Sequence, residues 1–318
     1  MPHDHAHHQA RNIAVSRKLI IGTLATLGFV VIQLLVGYLA NSLAIISDAL
    51  HNFTDGLALV LALTAVRLER RPATDEKSYG YHRAGILAAF VNAALLVAFT
   101  AYIFIEAVER LRNPATVDEM AMIVIAAAGI ALNIAITLSL RREGKEDVNV
   151  RGAVVHMFGD TISSAGIIVA AILIRVTGVQ QWDAAVAFVI GVLILWSAWG
   201  ILRETVNLLL EGTPRGIDPE EVTRSLASLE GVQGVHHLHI WAIGPSRPAL
   251  SCHLMVGDVP VKSTGRLLDR VNEVLERQYR IAHTTIQFEF AGCAEDDPFC
   301  VPYSAGTTPR SEASPTGP

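Results

Sequence analysis

Between residues 19 and 210 the chain consists of six apolar runs, each long enough to cross a bilayer, with short polar joints. They are Leu19–Leu39, Leu43–Val66, Ala84–Ala107, Met120–Leu140, Gly152–Ile174 and Ala184–Leu202. A helix of roughly 20 apolar residues covers the hydrocarbon core. There each backbone N–H and C=O must be satisfied internally, which predicts six transmembrane helices. Ala40-Asn41-Ser42 is so short that the first two runs form a tight hairpin. Only 17% of the 318 residues are charged, against about 25% in a soluble domain. That deficit is concentrated in the six runs. Residues 211–318 read as a soluble domain with a polar tail, and a net charge of −5 gives no sign of a nucleic-acid partner.

Basic residues orient the bundle. Arg11, Arg17 and Lys18 precede the first run, five Lys/Arg lie between the second and third, and four lie between the fourth and fifth. The opposite loops hold only Arg110, Arg112 and Arg175. The positive-inside rule then predicts cytoplasmic N- and C-termini and a cytoplasmic C-terminal domain. Short loops favour a bacterial plasma (inner) membrane. Three cysteines are too few for a disulfide framework and suit a reducing compartment.

The expected domains are a His-rich tail (1–18), a six-helix transmembrane domain (19–210), a cytoplasmic domain (211–292) and a disordered tail (293–318). Within the third, Asp218-Pro219-Glu220-Glu221 reads as an N-cap, a first-turn Pro and a capping-box Glu. Val235–Ile243 and Pro248–Val256 alternate as strands. Thr264–Tyr279 reads as a helix and His283–Phe290 as a third strand. The fold class is thus an all-α membrane domain followed by an α+β domain of order αββαβ.

Two of the apolar runs carry the chemistry. His51-Asn52-Phe53-Thr54-Asp55 lies in the second and His156-Met157-Phe158-Gly159-Asp160 in the fifth. A spacing of four puts His and Asp on one helix face, and Asp48 joins the first pair. Ionisable groups at this depth are costly and mark function. Two imidazoles and two carboxylates supply the four ligands of a tetrahedral divalent-metal site. Imidazole disfavours Mg²⁺ and absent thiolate disfavours Cu(I), which leaves zinc and its first-row neighbours. Two aspartates neutralise one divalent cation. Because ligands must be deprotonated to bind, protons and metal compete for the same groups, as a metal–proton antiporter requires. The competing view is a structural hydrogen-bond cluster, which more often uses Ser, Thr, Asn or Gln. Asp48 is open to three roles: an outer-shell acceptor for His51, a proton carrier, or a hydrogen-bond partner.

With these motifs, the chain resembles the cation diffusion facilitator family of zinc transporters to about residue 292. The words that carry the resemblance are Ser47-Asp48-Ala49-Leu50-His51-Asn52-Phe53-Thr54-Asp55, Tyr79-Gly80-Tyr81-His82-Arg83-Ala84 and His156-x-x-x-Asp160. It implies a transport site of His51, Asp55, His156 and Asp160. It also implies a homodimer, a metallochaperone-like cytoplasmic fold that binds zinc, and zinc efflux from the cytoplasm coupled to proton entry. Histidine at the head of both motifs resembles the zinc-selective branch. A loop site of some relatives is altered, because its histidine positions match Lys77 and Tyr81, while His82 is a candidate for a different interfacial metal site. In the cytoplasmic domain the resemblance points to His236, His253 and Glu289, or in other relatives to positions matching His239 and His253. Strand alternation sets His237 and His239 on one face and His236 on the other. The tract Met1–His8 is a compositional metal binder, and Cys293 and Cys300 are either metal ligands or free thiols. Two alternatives to transport are a membrane-bound metal sensor and an intramembrane zinc metalloenzyme. The second lacks an H-E-x-x-H, and its four ligands would close the shell that catalysis needs open.

Overall fold

The computed structural model describes residues 3–141 and 148–290. It contains six long helices, α1 (His3–Leu39), α2 (Leu43–Glu69), α3 (Ala84–Arg112), α4 (Glu119–Arg141), α5 (Val148–Thr177) and α6 (Gln181–Leu209). A small domain follows, with α7 (Pro219–Ala227), β1 (Val232–Gly244), β2 (Arg247–Val256), α8 (Val261–Tyr279) and β3 (His283–Glu289). Six helices are long and apolar enough to span a membrane. The first of these spans, Ile21–Leu39, is the apolar part of α1, whose helix also continues back to His3. Side chains of residues 1–20 and the whole of 291–318 lie outside the described residues, and with them the His-rich tract, Cys293 and Cys300.

The chain forms two compact units, residues 1–64 with 88–202, and residues 65–87 with 203–318. The first is packed through small side chains. Ala44, Ala107, Ala126, Ala170, Ala171 and Ala187 are all essentially buried at its centre, among Leu43, Ile45, Met122 and Ile167. Lipid is as apolar as leucine, so helices associate in membranes by close van der Waals fit, and small residues allow it. Gly56 is a further case, since a Cβ there would collide with Leu27 of α1.

The C-terminal domain follows its local signals. Asp218 accepts a hydrogen bond from the Glu220 N–H and caps α7, with Pro219 in the first turn. Val222 and Leu226 of α7, and Leu267, Val271 and Leu275 of α8, recur at helical spacing and are buried. They cover a three-stranded sheet of order β1-β2-β3. β1 and β2 pair antiparallel, and β2 and β3 pair parallel across the α8 crossover. Cys252 faces this core, and burial pushes its thiol up to about 12.

Candidate metal centres

The spacing of four in α2 and α5 turns both His-Asp pairs into one ring. His51 and Asp55 face His156 and Asp160 across the two helices. Asp55 Oδ2 lies 3.6 Å from His51 Nε2 and 3.4 Å from His156 Nε2. Asp160 closes the ring, with Oδ1 3.8 Å from His51 Nε2 and Oδ2 3.5 Å from His156 Nε2. These gaps are too long for good hydrogen bonds. The shortest of them, at His156, approach the edge of about 3.3–3.4 Å of a tetrahedron with zinc–ligand bonds of about 2.0–2.1 Å, and those at His51 are a few tenths of an ångström wider. Asp55 Oδ2, Asp160 Oδ2 and His51 Nδ1 are buried with no hydrogen-bond partner among the described residues. Leaving the two carboxylate oxygens unpaired costs about 1–3 kcal/mol each, which a cation held between them offsets. His51, His156 and Asp160 form a set of potential ligand atoms within 4.8 Å of one another, and Asp55 stays outside that set although its Oδ2 lies within 3.6 Å of both imidazoles.

The ring is not sealed. The side chains of Asp55 and His156 are 31% and 41% exposed, while Asp160 is 4% exposed. A cavity of about 190 Å³ reaches Asp55 and His156, lined by Thr26 and Leu27 of α1, Asn52 and Leu59 of α2, and Ile136 of α4.

Asp48 stands beside the ring without entering it. It is 1% exposed, and its Oδ2 accepts from Gln33 Nε2 of α1 at 2.9 Å. His51 Nδ1 has no partner, so Asp48 does not orient that imidazole in this structure. One residue escaped sequence reasoning altogether. Asp183, in the first turn of α6, is 1% exposed and accepts from Ser42 Oγ at 2.6 Å, Leu43 N–H at 2.6 Å and Ala44 N–H at 3.2 Å. It caps the N-terminus of α2 from another helix. Its place just ahead of an apolar run made it look like a loop residue.

A second cluster lies on the sheet face away from α7 and α8. Glu289 Oε2 lies 2.8 Å from His236 Nε2, and its Oε1 lies 2.9 Å from His253 Nδ1 and accepts from Gln287 Nε2 at 2.7 Å. His236, His253 and Glu289 could hold a metal ion. His239 does not join them. A β-bulge between His236 and His239, with His237 at φ 49°, changes the face that each histidine occupies. His236 pairs with His253 and His239 with Ser251, so His236 and His239 share a face, contrary to simple alternation. The His237 ring lies 4.8 Å from that of His253, whereas His239 lines a separate cavity with Tyr79 and Trp241. His82 is apart from both clusters, its Nε2 accepting from Arg247 Nη1 at 3.1 Å. Cys252, with its raised pKa and its core position, is not a ligand.

Known proteins resemble the chain along nearly its whole length. Residues 19–210 match the family model of the cation efflux transmembrane domain, and residues 214–291 that of the cytoplasmic domain of cation efflux proteins. The chain is 38% identical over 302 residues to the zinc transporter ZitB of Escherichia coli, covering 93% of this chain and 95% of that protein. The zinc transporter ZitB of Shigella flexneri gives the same identity and coverage. A cadmium, cobalt and zinc/H(+)-K(+) antiporter of Bacillus subtilis is 36% identical over 288 residues, with 90% and 91% covered. With six membrane-spanning helices and both domain models matched along nearly its whole length, the chain belongs to the cation efflux, or cation diffusion facilitator, family of multi-pass membrane transporters.

Proposed function

We propose that this protein exports Zn²⁺ from the cytoplasm in exchange for protons, working as a homodimer in a bacterial inner membrane. The observation that carries the reading is the ring of His51, Asp55, His156 and Asp160, in which each carboxylate lies 3.4–3.8 Å from both imidazoles. Two nitrogens and two carboxylate oxygens suit zinc over harder or softer cations. The loaded ring is near neutral and can be occluded. Emptied, it leaves two carboxylates in a low dielectric, and protons relieve that cost. Metal and protons therefore take turns on one set of groups, which couples their opposed movements.

Orientation follows from the basic loops, which assign both termini to the cytoplasm. Under it, the residues that line the cavity beside Asp55 and His156 come from the cytoplasmic halves of α1, α4 and α5 and from the middle of α2. The ring is then open to cytoplasmic zinc, while the α2 N-terminus, held by Asp183, lies on the outer side. The second cluster binds zinc in the cytoplasmic domain and reports the cytoplasmic zinc level to the dimer. The protein is a transporter and not an enzyme, and four protein ligands leave no open position for an activated water.

The test is cation uptake into proteoliposomes under an imposed pH gradient, with Zn²⁺, Cd²⁺, Co²⁺ and Mn²⁺ in parallel. Zinc uptake that rises with the gradient and is matched by proton counterflow is expected. Zinc binding without flux would overturn the proposal in favour of a membrane-bound metal sensor.

A further inference from the structure

The loop between α2 and α3, the β1–β2 turn and the end of α8 enclose a cavity of about 560 Å³ that the metal chemistry does not use. Arg71, Arg247 and Arg280 line it together with His82, His283 and Tyr79, and no aspartate or glutamate does. Three separate stretches of chain supply the arginines. Arg71 stands two residues past the end of α2, Arg247 opens β2, and Arg280 is the left-handed C-cap of α8 at φ 57°. Arg83, Arg110, Arg215, Arg270 and Arg277 each meet a carboxylate within 3.6 Å. Among the described residues Arg71, Arg247 and Arg280 have no such partner; several other surface arginines lack one too, and what sets these three apart is that they line one cavity.

Of these exposed cations, Arg247 is held by a neutral partner. Arg247 donates to His82 Nε2 at 3.1 Å. His82 Nδ1 is buried with no partner. Tyr79 and His283 pack edge to face at 5.5 Å and form one wall. A helix C-terminus favours a nearby cation, which accounts for Arg280 taken alone. It does not account for Arg247 in a hairpin turn, nor for three guanidinium groups around one cavity. Like charges brought together without an anion repel, so the arrangement calls for a ligand that carries the missing charge.

We propose that Arg71, Arg247 and Arg280 form a binding site for a phosphate group. The guanidinium fork matches phosphate oxygens two at a time, and three forks from different directions suit a tetrahedral anion better than a planar carboxylate. Two sources offer that chemistry. One is the head group of an anionic phospholipid, within reach because Arg71 lies two residues beyond a membrane-spanning helix. The other is a soluble phosphate. Either would cross-link the α2–α3 loop to the sheet that carries the second metal cluster.

The test uses the full chain and the triple variant R71Q/R247Q/R280Q. In one arm, lipid-stripped protein in uncharged detergent is titrated with inorganic phosphate by calorimetry. In the other, phosphatidylcholine nanodiscs doped with phosphatidylglycerol are prepared, and lipid retained by the protein is counted by native mass spectrometry. Binding should weaken by about fivefold per lost arginine, so roughly 100-fold in the triple variant, and it should weaken further as salt rises. Loss in the calorimetric arm assigns a soluble phosphate, and loss in the lipid arm alone assigns a head group. If the triple variant aggregates, Arg247→Gln is read in both arms, with a fivefold loss expected. Absence of binding in both arms, or equal binding by parent and variant, would overturn the proposal.

Discussion

Removing the Asp183 carboxylate should loosen the bundle while sparing the metal ring. In Asp183→Ala the α2 N-terminus loses acceptors for Leu43 N–H, Ala44 N–H and the Ser42 hydroxyl. The first N–H groups of any helix lack intrahelical partners, and here the carboxylate that serves them is 1% exposed. A buried donor left unpaired costs about 1–3 kcal/mol, so the two amides together cost about 2–5 kcal/mol after some rehydration. For a unit of this size each kcal/mol lowers the melting midpoint by about 2–4 °C, which gives roughly 4–20 °C. Asp183→Asn keeps one acceptor oxygen and should lose about 1–2 kcal/mol. His51 is eight residues further along α2, about 12 Å away, so zinc affinity at the ring should change less than twofold. The assay is thermal loss of the monodisperse peak in size-exclusion chromatography, with zinc binding measured on the same samples. An alanine variant that melts with the parent would refute the reasoning, because it would mean that water reaches the α2 N-terminus.

Replacing His51 by Asp exchanges a nitrogen ligand for an oxygen, and transport should shift toward Cd²⁺ or Mn²⁺; an unchanged zinc-to-cadmium ratio in a competition assay would assign selectivity to the shape of the site. The paired change His253→Ala and Glu289→Gln should remove one zinc per chain in calorimetry of the full-length protein while flux through the membrane part persists; unchanged stoichiometry would rule out the second cluster. The Cys252 thiol, pushed up to about 12 by burial, holds about three orders of magnitude less thiolate than a free cysteine near 8.5. With Cys293 and Cys300 changed to serine, maleimide at pH 8 should therefore label the folded protein slowly and the unfolded protein quickly, and fast labelling of both would mean that the helix–sheet core opens.

The six spans, the αββαβ order and the membrane ring were legible because each rests on local pattern. Apolar run length defines a span, and a spacing of four puts His51 with Asp55 and His156 with Asp160 whatever the rest of the chain does. The interactions that sequence missed depend on partners far along the chain. Asp183 meets Ser42 across about 140 residues, and nothing near it in sequence announces a cap. The choice of Gln33 over His51 as the partner of Asp48 is decided by how α1 packs on α2. The histidines of β1 are hardest to read. Alternation assigns their faces only if the strand is regular, and the extra residue at His237 breaks that rule. Its register with β2 puts His236 opposite His253, inside the cluster, and His239 opposite Ser251, further along the same face, where it lines the cavity with Tyr79 and Trp241.

Zinc flux by the four single variants His51→Ala, Asp55→Ala, His156→Ala and Asp160→Ala tests the central claim most directly. Each removes one edge-sharing ligand from the ring and leaves its neighbours with an unbalanced buried charge. In proteoliposomes under a pH gradient, all four should fall to the background of empty vesicles while eluting as the parent does in detergent. Near-parental flux in Asp55→Ala and Asp160→Ala would contradict the assignment of this ring as the path taken by the metal.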